Sequence, residues 1–263
     1  MTAECLESLV RVDYHRRKIL LVDNGSTDGS LNTIRAARRG ADILALPSNL
    51  GFAGGMNAGI RHALGRGAEM VLLLNNDTRV DRAFLRAMVD AMLSHPAAGM
   101  VVPKIYYAAE PTRIWFAGGA ISFWLGTMRH IGIREYDRGQ YDTPREIQHA
   151  TGCCLLVRRE VIGRVGMLDE SYYLYGEDAD WVARTRTAGY QIIYEPQAKI
   201  WHKVSVSSGG HLSWKKNKNK FLGTIRFFAR HARWYHWFVF PWMTIVANGT
   251  AALRYLLTKK HSR

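Results

Sequence analysis

Three carboxylates fall within four positions at Glu177-Asp178-Ala179-Asp180, flanked by Tyr172, Tyr173, Tyr175 and Trp181. Carboxylates among aromatic rings can acquire pKa values suited to general-base work. The same cluster also suits the first turn of a surface helix, where acidic groups meet the positive end of the helix dipole. A further carboxylate, Asp77, ends the run Leu72-Leu73-Leu74-Asn75-Asn76-Asp77. An apolar strand there delivers hard oxygen ligands of the kind that hold Mg2+ or Mn2+ on a diphosphate. Asp77 equally suits an N-cap for a helix starting near residue 81. His202 follows an apolar stretch at 198–201. Its imidazole either completes a metal shell begun by Asp77 or serves as a structural group.

Two glycine-rich segments complete the inventory. Val22-Asp23-Asn24-Gly25-Ser26-Thr27-Asp28-Gly29-Ser30 reads as a turn in which Asx and Ser side chains cap the next helix. A helix start after a strand also suits an anionic or hydroxylated ligand. Gly51-Phe52-Ala53-Gly54-Gly55-Met56-Asn57 is a second loop, and glycine permits close backbone approach to a ligand. No Lys-Ser/Thr follows it, and its spacing is not Gly-x-Gly-x-x-Gly. It is therefore neither a phosphate-binding P-loop nor a dinucleotide fingerprint.

The elements that must position these groups alternate. Helical spacing covers 3–12, apolar runs at 19–22, 43–46, 70–74 and 99–102 read as strands, and helices are predicted after 29, over 56–64 and over 81–93. Residues 51–55 read as a glycine-rich turn. The alternation predicts an α/β layer fold with a largely parallel sheet through residue 102. Ligands in such sheets lie beyond the carboxyl ends of strands, where Asp23 and Asp77 stand. Residues 103–148 are less regular, and 134–145 reads as a charged mobile loop. Strands are predicted at 154–157, 191–194 and 198–201, the last two separated by Pro196, with a helix over 178–187 ended by Gly189.

The chain has 263 residues, a formal net charge of +14 and three cysteines. Cys5, Cys153 and Cys154 form neither a disulfide framework nor a zinc pattern, so they read as reduced thiols. Thirteen of the 36 Lys and Arg follow Glu195, and no acidic residue does. That excess calls for a local anionic partner. Residues 234–253 contain no Lys, Arg, Asp or Glu, and Trp234, Tyr235, Trp237 and Phe238 suit a membrane interface. The run reads as interfacial, as spanning, or as a buried helix. Basic residues that flank an apolar segment fit anionic lipid better than nucleic acid. No apolar leader is visible at the start.

Taken in order, five segments resemble inverting glycosyltransferase family 2, of the GT-A fold, and in particular its rhamnosyltransferase-like branch. They are 21–30; Asn49-Leu50-Gly51-Phe52-Ala53-Gly54-Gly55-Met56-Asn57; Leu74-Asn75-Asn76-Asp77-Thr78; Gly152-Cys153-Cys154-Leu155-Leu156-Val157-Arg158-Arg159; and Gly176-Glu177-Asp178-Ala179-Asp180-Trp181 with Trp201-His202. The resemblance implies a mixed sheet flanked by helices over 1–205 and a basic, membrane-associating helical tail over 206–263, with a break at 205–210. It implies transfer of a sugar, rhamnose-like or another hexose, from a nucleotide diphosphate to a lipid-linked or polysaccharide acceptor in bacterial envelope biosynthesis. The reaction would take place at the cytoplasmic face of the membrane, with Mn2+ or Mg2+. Asp23, Asn24, Ser26, Asn49, Gly51, Gly54, Asn57, Asn75 and Asn76 would bind the donor. Asp77, last carboxylate of a degenerate Asp-x-Asp motif, and His202 would hold the metal. Asp178 would be the general base, with Gly152, Cys153, Glu177 and Trp181 on the acceptor side.

Family members usually begin with an apolar strand, and this sequence reads as starting in the helix that follows it, either because its start was assigned too late or because the chain is shortened. The alternative is a truncated, inactive relative that docks at a membrane or a partner. Retention of Asp77, Asp178 and His202 speaks against that alternative.

Overall fold

A computed structural model describes residues 2–29, 31, 32, 35, 40–172, 175–203 and 214–238, with the backbone alone over 214–220. Helix α1 (Thr2–Val10) comes first, followed by strands β1 (Leu20–Asp23) and β2 (Asp42–Ala45), which pair in parallel. Among the described residues these two strands form a sheet of their own. Helix α2 (Gly51–Gly65) packs against both β1 and β3 (Met70–Leu74) and so bridges the two sheets. Residues 51–55, expected as a turn, already belong to α2. The glycines allow this by close packing. A Cβ on Gly59 would lie 2.9 Å from a Val22 methyl, and one on Gly55 would lie 3.0 Å from the Asn24 amide.

The larger sheet has seven strands. Its path runs β3, β10 (Cys154–Arg158), β5 (Ala98–Tyr107), β11 (Gln191–His202) and β4 (Thr78–Val80). Strand β6 (Glu110–Phe116) pairs β5, and β9 (Arg145–Glu146) pairs β11. The expectation of a largely parallel sheet is corrected here. Within this sheet only the β5–β11 pairing is parallel. The parallel βαβ pattern legible up to residue 102 gives way to antiparallel pairings, in which β10 lies between β3 and β5 and β4 and β9 pair with β11. The result is the mixed sheet flanked by helices implied by the resemblance. Strands 191–194 and 198–201 are one strand, with Pro196 at a register shift between Glu195 and Lys199, where a missing N–H costs no ladder bond.

Helix α3 (Phe84–Ser94) buries Phe84, Leu85, Met88, Val89 and Met92, a 3.6-residue stripe, against β5 and β11. Helix α4 (Arg159–Val165) follows β10. Helix α5 (Glu177–Thr187) lies beside it and contacts β11. The hairpin β7 (Gly119–Ser122) and β8 (Thr127–His130) stands apart from the large sheet.

The segment 134–145 is fastened, which corrects its reading as a mobile loop. Lys104 is fully buried in β5, and its ammonium donates to Asp137 at 2.9 Å and to Asp142. Tyr106 donates to the same Asp137 carboxylate, and Tyr194 donates to the Tyr141 carbonyl at 3.0 Å. A buried ammonium needs such partners to offset its desolvation.

Helix α6 (Trp214–His231) packs on α5 and is followed by a short 3-10 helix (Trp234–Phe238). Phe227 and Phe228 are fully buried against Ala179 and Phe123. Asp180, also fully buried, pairs with Arg184 at 2.7 Å, His231 at 2.8 Å and Arg230 at 3.2 Å. The start of the tail is thereby docked on the helix that carries the carboxylates. The break expected at 205–210 and residues 239–263 lie outside the described residues.

Candidate active site

Strand β3 ends one residue before Asn75, whose N–H donates to the Cys153 carbonyl at 2.9 Å. Asp77 follows, 8% exposed, and β11 pairs with β4 so that His202 stands opposite Thr78. This register brings Nε2 of His202 to 3.2 Å from Oδ1 of Asp77. The contact counts as an ion pair by distance, yet Asp77 Oδ1 has no hydrogen-bond partner, and neither has Nδ1 of His202. Two ligand atoms that share an octahedral ion at about 2.1 Å stand about 3 Å apart without bonding to each other. The pair therefore fits a divalent cation. No group of three or more His, Cys, Asp and Glu able to hold a metal occurs among the described residues. Mg2+ binds through one or two carboxylates and completes its shell with phosphate and water.

Asp178 lies beside the segment 151–153. Its Oδ2 accepts the Gly152 N–H at 2.9 Å, and its Oδ1 accepts the N–H of Ala179. Gly152 allows the approach, since a Cβ there would meet the Phe52 ring at 3.3 Å and Cβ of Asp178 at 3.5 Å. The Cys153 thiol is pushed well up by burial, and the charges of Asp77 and Asp178 also act on it. The candidate metal carboxylate and the candidate base thus both lie near Cys153.

The turn before α5 is strained. Tyr175 has φ +74° and Gly176 φ +101°, the left-handed region. Gly223 of α6 sits directly against the Tyr175 carbonyl, where no side chain would fit. Glu177, 5% exposed, has a pKa raised to about 8 by burial and by the Asp178 charge, and its Oε2 has no partner. Burial disfavours its charged form, so it carries a proton at neutral pH.

The expected donor residues form a second group. Asp23, 7% exposed, accepts the Ser26 N–H at 3.4 Å. Asn24 donates to Asn49 and to the Gly51 carbonyl and accepts the Leu50 N–H, which ties β1 to the start of α2. Asn49 also accepts the Gly51 N–H. Ser26 and Asn76 are exposed, and Asn76 donates to Thr2. Gly54 packs under Leu50. Asn57 is buried, with both amide protons given to the Leu168 carbonyl and Glu170. Its part is to hold the loop after α4.

Trp181 is placed differently from its expected acceptor-side position. It is fully buried in the main core and donates its indole N–H to the Gly166 carbonyl at 2.8 Å. It supports α5 from within. In contrast, Trp115, His130 and His149 enter the site unannounced. Trp115 meets His202 edge-on at 4.7 Å and His130 at 4.8 Å, and His130 lies 6.0 Å from His149. Trp115 and His130 fall within 103–148, where the sequence showed only aromatic content, and His149 lies just beyond it.

The mixed sheet flanked by helices is the architecture of the GT-A class. The chain belongs to glycosyl transferase family 2, whose pattern matches residues 1–166. It is 31% identical over 214 residues to an N-acetylglucosaminyl-diphospho-decaprenol L-rhamnosyltransferase of Mycobacterium tuberculosis, covering 73% of this chain and 68% of that one. It is 23% identical over 193 residues to a dTDP-rhamnosyl transferase of Shigella flexneri, covering 72% and 61%. Among solved structures it resembles a mannosyltransferase of Pyrobaculum calidifontis in complex with GDP-Man and Mn2+, with a TM-score of 0.59 and 18% identity over 98% of this chain and 75% of that one. GalNAc-T7 with UDP, GalNAc and Mn2+ gives a TM-score of 0.60 at 14% identity, over 77% and 41%. These likenesses show the GT-A fold and the rhamnosyltransferase-like branch of the family.

Proposed function

We propose that the chain is a metal-dependent, inverting hexosyltransferase that moves a rhamnose-like sugar from a nucleotide diphosphate to a lipid-linked glycan acceptor. The observation that carries this reading is that Asp77, paired with His202, and Asp178 both lie near Cys153. An alcohol is a weak nucleophile at neutral pH. Asp178, oriented by the Gly152 N–H, accepts the proton of the acceptor hydroxyl as the new bond forms. Attack from the face opposite the leaving group inverts the anomeric centre. Asp77 and His202 would hold a divalent cation, which would supply charge stabilisation for the departing diphosphate. Protonated Glu177 beside Asp178 keeps a second negative charge from crowding the base. The test is nucleotide release from dTDP-rhamnose, UDP-galactofuranose, UDP-glucose, UDP-N-acetylglucosamine and GDP-mannose, with Mn2+, Mg2+ or EDTA and membrane extract as acceptor. Metal-dependent release from one donor supports the reading. Silence across the panel favours the inactive docking relative.

The acceptor class draws support from the mycobacterial relative, whose name specifies a diphospho-decaprenol-linked N-acetylglucosamine. We place the protein at the cytoplasmic face of a bacterial membrane. Trp234, Phe238 and Trp124 are 75%, 73% and 53% exposed. The Trp124 ring, at the β7–β8 turn, stands 5.7 Å from Tyr235 and 4.9 Å from His236, so hairpin and tail present their rings together. Aromatic rings beside a basic segment suit an anionic lipid interface. No helix among the described residues is long and apolar enough to cross a membrane.

A further inference from the structure

We propose that His149 is a sugar-binding residue of the transferase cleft, its neutral imidazole hydrogen-bonded to a hydroxyl of a bound sugar beside Asp178. The inference rests on the transferase reading above and adds a residue that it does not use. His149 is 7% exposed, and its Nδ1 is buried without a hydrogen-bond partner. Buried polar atoms in folded proteins are almost always paired, so this orphan calls for a partner that the chain's own atoms do not supply.

The position is built. Gly119 pairs with His149 across an isolated bridge, and a Cβ on Gly119 would lie 2.8 Å from Cδ2 of the imidazole and 2.5 Å from the His149 carbonyl. Only glycine leaves the ring its seat. Three residues on, Gly152 donates to Asp178, and the intervening 150 and 151 are buried. In the other direction the rings His149, His130, Trp115 and His202 follow one another at centroid distances of 6.0, 4.8 and 4.7 Å. These rings thus link the Asp77–His202 pair to His149, which lies close enough to Asp178 for its charge to act on the imidazole.

The chemistry of the ring selects the ligand group. Burial lowers its pKa below the ordinary histidine value, against the pull of Asp178, and so keeps it neutral. A neutral imidazole has one donor and one acceptor nitrogen. A hydroxyl also donates and accepts, whereas a diphosphate only accepts and is served by cations. A sugar hydroxyl is the matching group, on the donor or on the acceptor.

The experiment compares wild type, His149→Phe and His149→Gln. Initial rates are measured on the donor that the panel identifies, with the acceptor varied at fixed donor and the donor varied at fixed acceptor. Calorimetry with the corresponding nucleoside diphosphate and Mn2+ runs alongside. His149→Phe keeps a planar ring and is expected to raise KM for one sugar substrate ~10-fold, the loss of about one hydrogen bond. His149→Gln recovers most of that loss, and the sugar-free nucleoside diphosphate binds all three proteins alike. The substrate whose KM moves tells whether the hydroxyl belongs to donor or acceptor. A folded His149→Phe with both KM values unchanged overturns the proposal, as does equal weakening of the nucleoside diphosphate. A wild type silent on every donor contradicts the transferase reading itself, and the role of His149 falls with it.

Discussion

Oδ1 of Asp77 and Nε2 of His202 approach to 3.2 Å without forming a hydrogen bond, the spacing of two ligands on one cation. Replacing either leaves the other a single protein ligand. Asp77→Ala is expected to abolish Mn2+-dependent nucleotide release. His202→Ala is expected to raise the Mn2+ concentration needed for nucleoside diphosphate binding ~10-fold or more, as loss of metal-site groups does. A Mn2+ titration followed by calorimetry measures both. Unchanged Mn2+ dependence in His202→Ala contradicts the assignment.

Glu177 gives a pH signature. Its pKa in the folded chain is raised from 4.5 to about 8 by burial first and by Asp178 second. The unfolded chain loses this proton near pH 4.5 and the folded chain only near pH 8. Stability from this group is therefore whole at acid pH and falls as pH rises through that window. Glu177→Gln removes the penalty. Its melting temperature should match wild type at pH 4 and exceed it at pH 8, by about 2–4 °C for each kcal/mol recovered. Equal offsets at both pH values would show that Glu177 ionises normally.

The buried Lys104 ammonium sets a third prediction. Asp137→Ala strips its best-covered partner and leaves Asp142, half-exposed, as the remaining carboxylate. Breaking a buried pair is strongly destabilising, here about 3 kcal/mol. Lys104→Met replaces the charge by an apolar chain of similar length and should cost much less. Denaturant unfolding of the two variants gives the comparison, and equal losses would contradict the account of how 134–145 is held.

Membrane docking predicts separable phenotypes. Trp124→Ser and Trp234→Ser alter exposed rings, so melting temperature should hold while co-flotation with anionic phosphatidylglycerol vesicles falls. Activity on a water-soluble acceptor analogue should be retained. Flotation equal to wild type in the double variant would remove the hairpin and the 3-10 helix from the docking surface.

Much of this was legible in the sequence, for local reasons. Met70–Leu74 is an uninterrupted apolar run that stops at a polar triplet, so strand and ligand-bearing end were both plain. Glu177–Thr187 was bounded by acidic residues at its start and Gly189 beyond its end. The 103–148 region was opaque because its order is non-local. Lys104 reaches partners 33 and 38 residues away, and no periodicity reports that. Trp181 was misplaced because nearness to Asp178 in sequence was taken as nearness to the cleft. One turn along α5 the indole is already inside the core. His149 and Trp115 were missed since isolated aromatic and imidazole side chains carry no spacing signal. Gly54 and Gly55 looked like a ligand loop, yet they are the small face on which α2 meets Leu50 and Asn24.

The most direct test of the central claim is nucleotide release from the donor panel by wild type and Asp178→Asn, each with Mn2+ and with EDTA. Asn keeps the shape and can still accept the Gly152 N–H, but it cannot take up a proton. Wild type should release nucleotide from one donor with Mn2+ and not with EDTA. Asp178→Asn should bind the nucleoside diphosphate normally and turn over at least ~100-fold more slowly, the scale of general-base catalysis. Turnover by Asp178→Asn at the wild-type rate, or wild-type turnover undiminished by EDTA, would contradict the account.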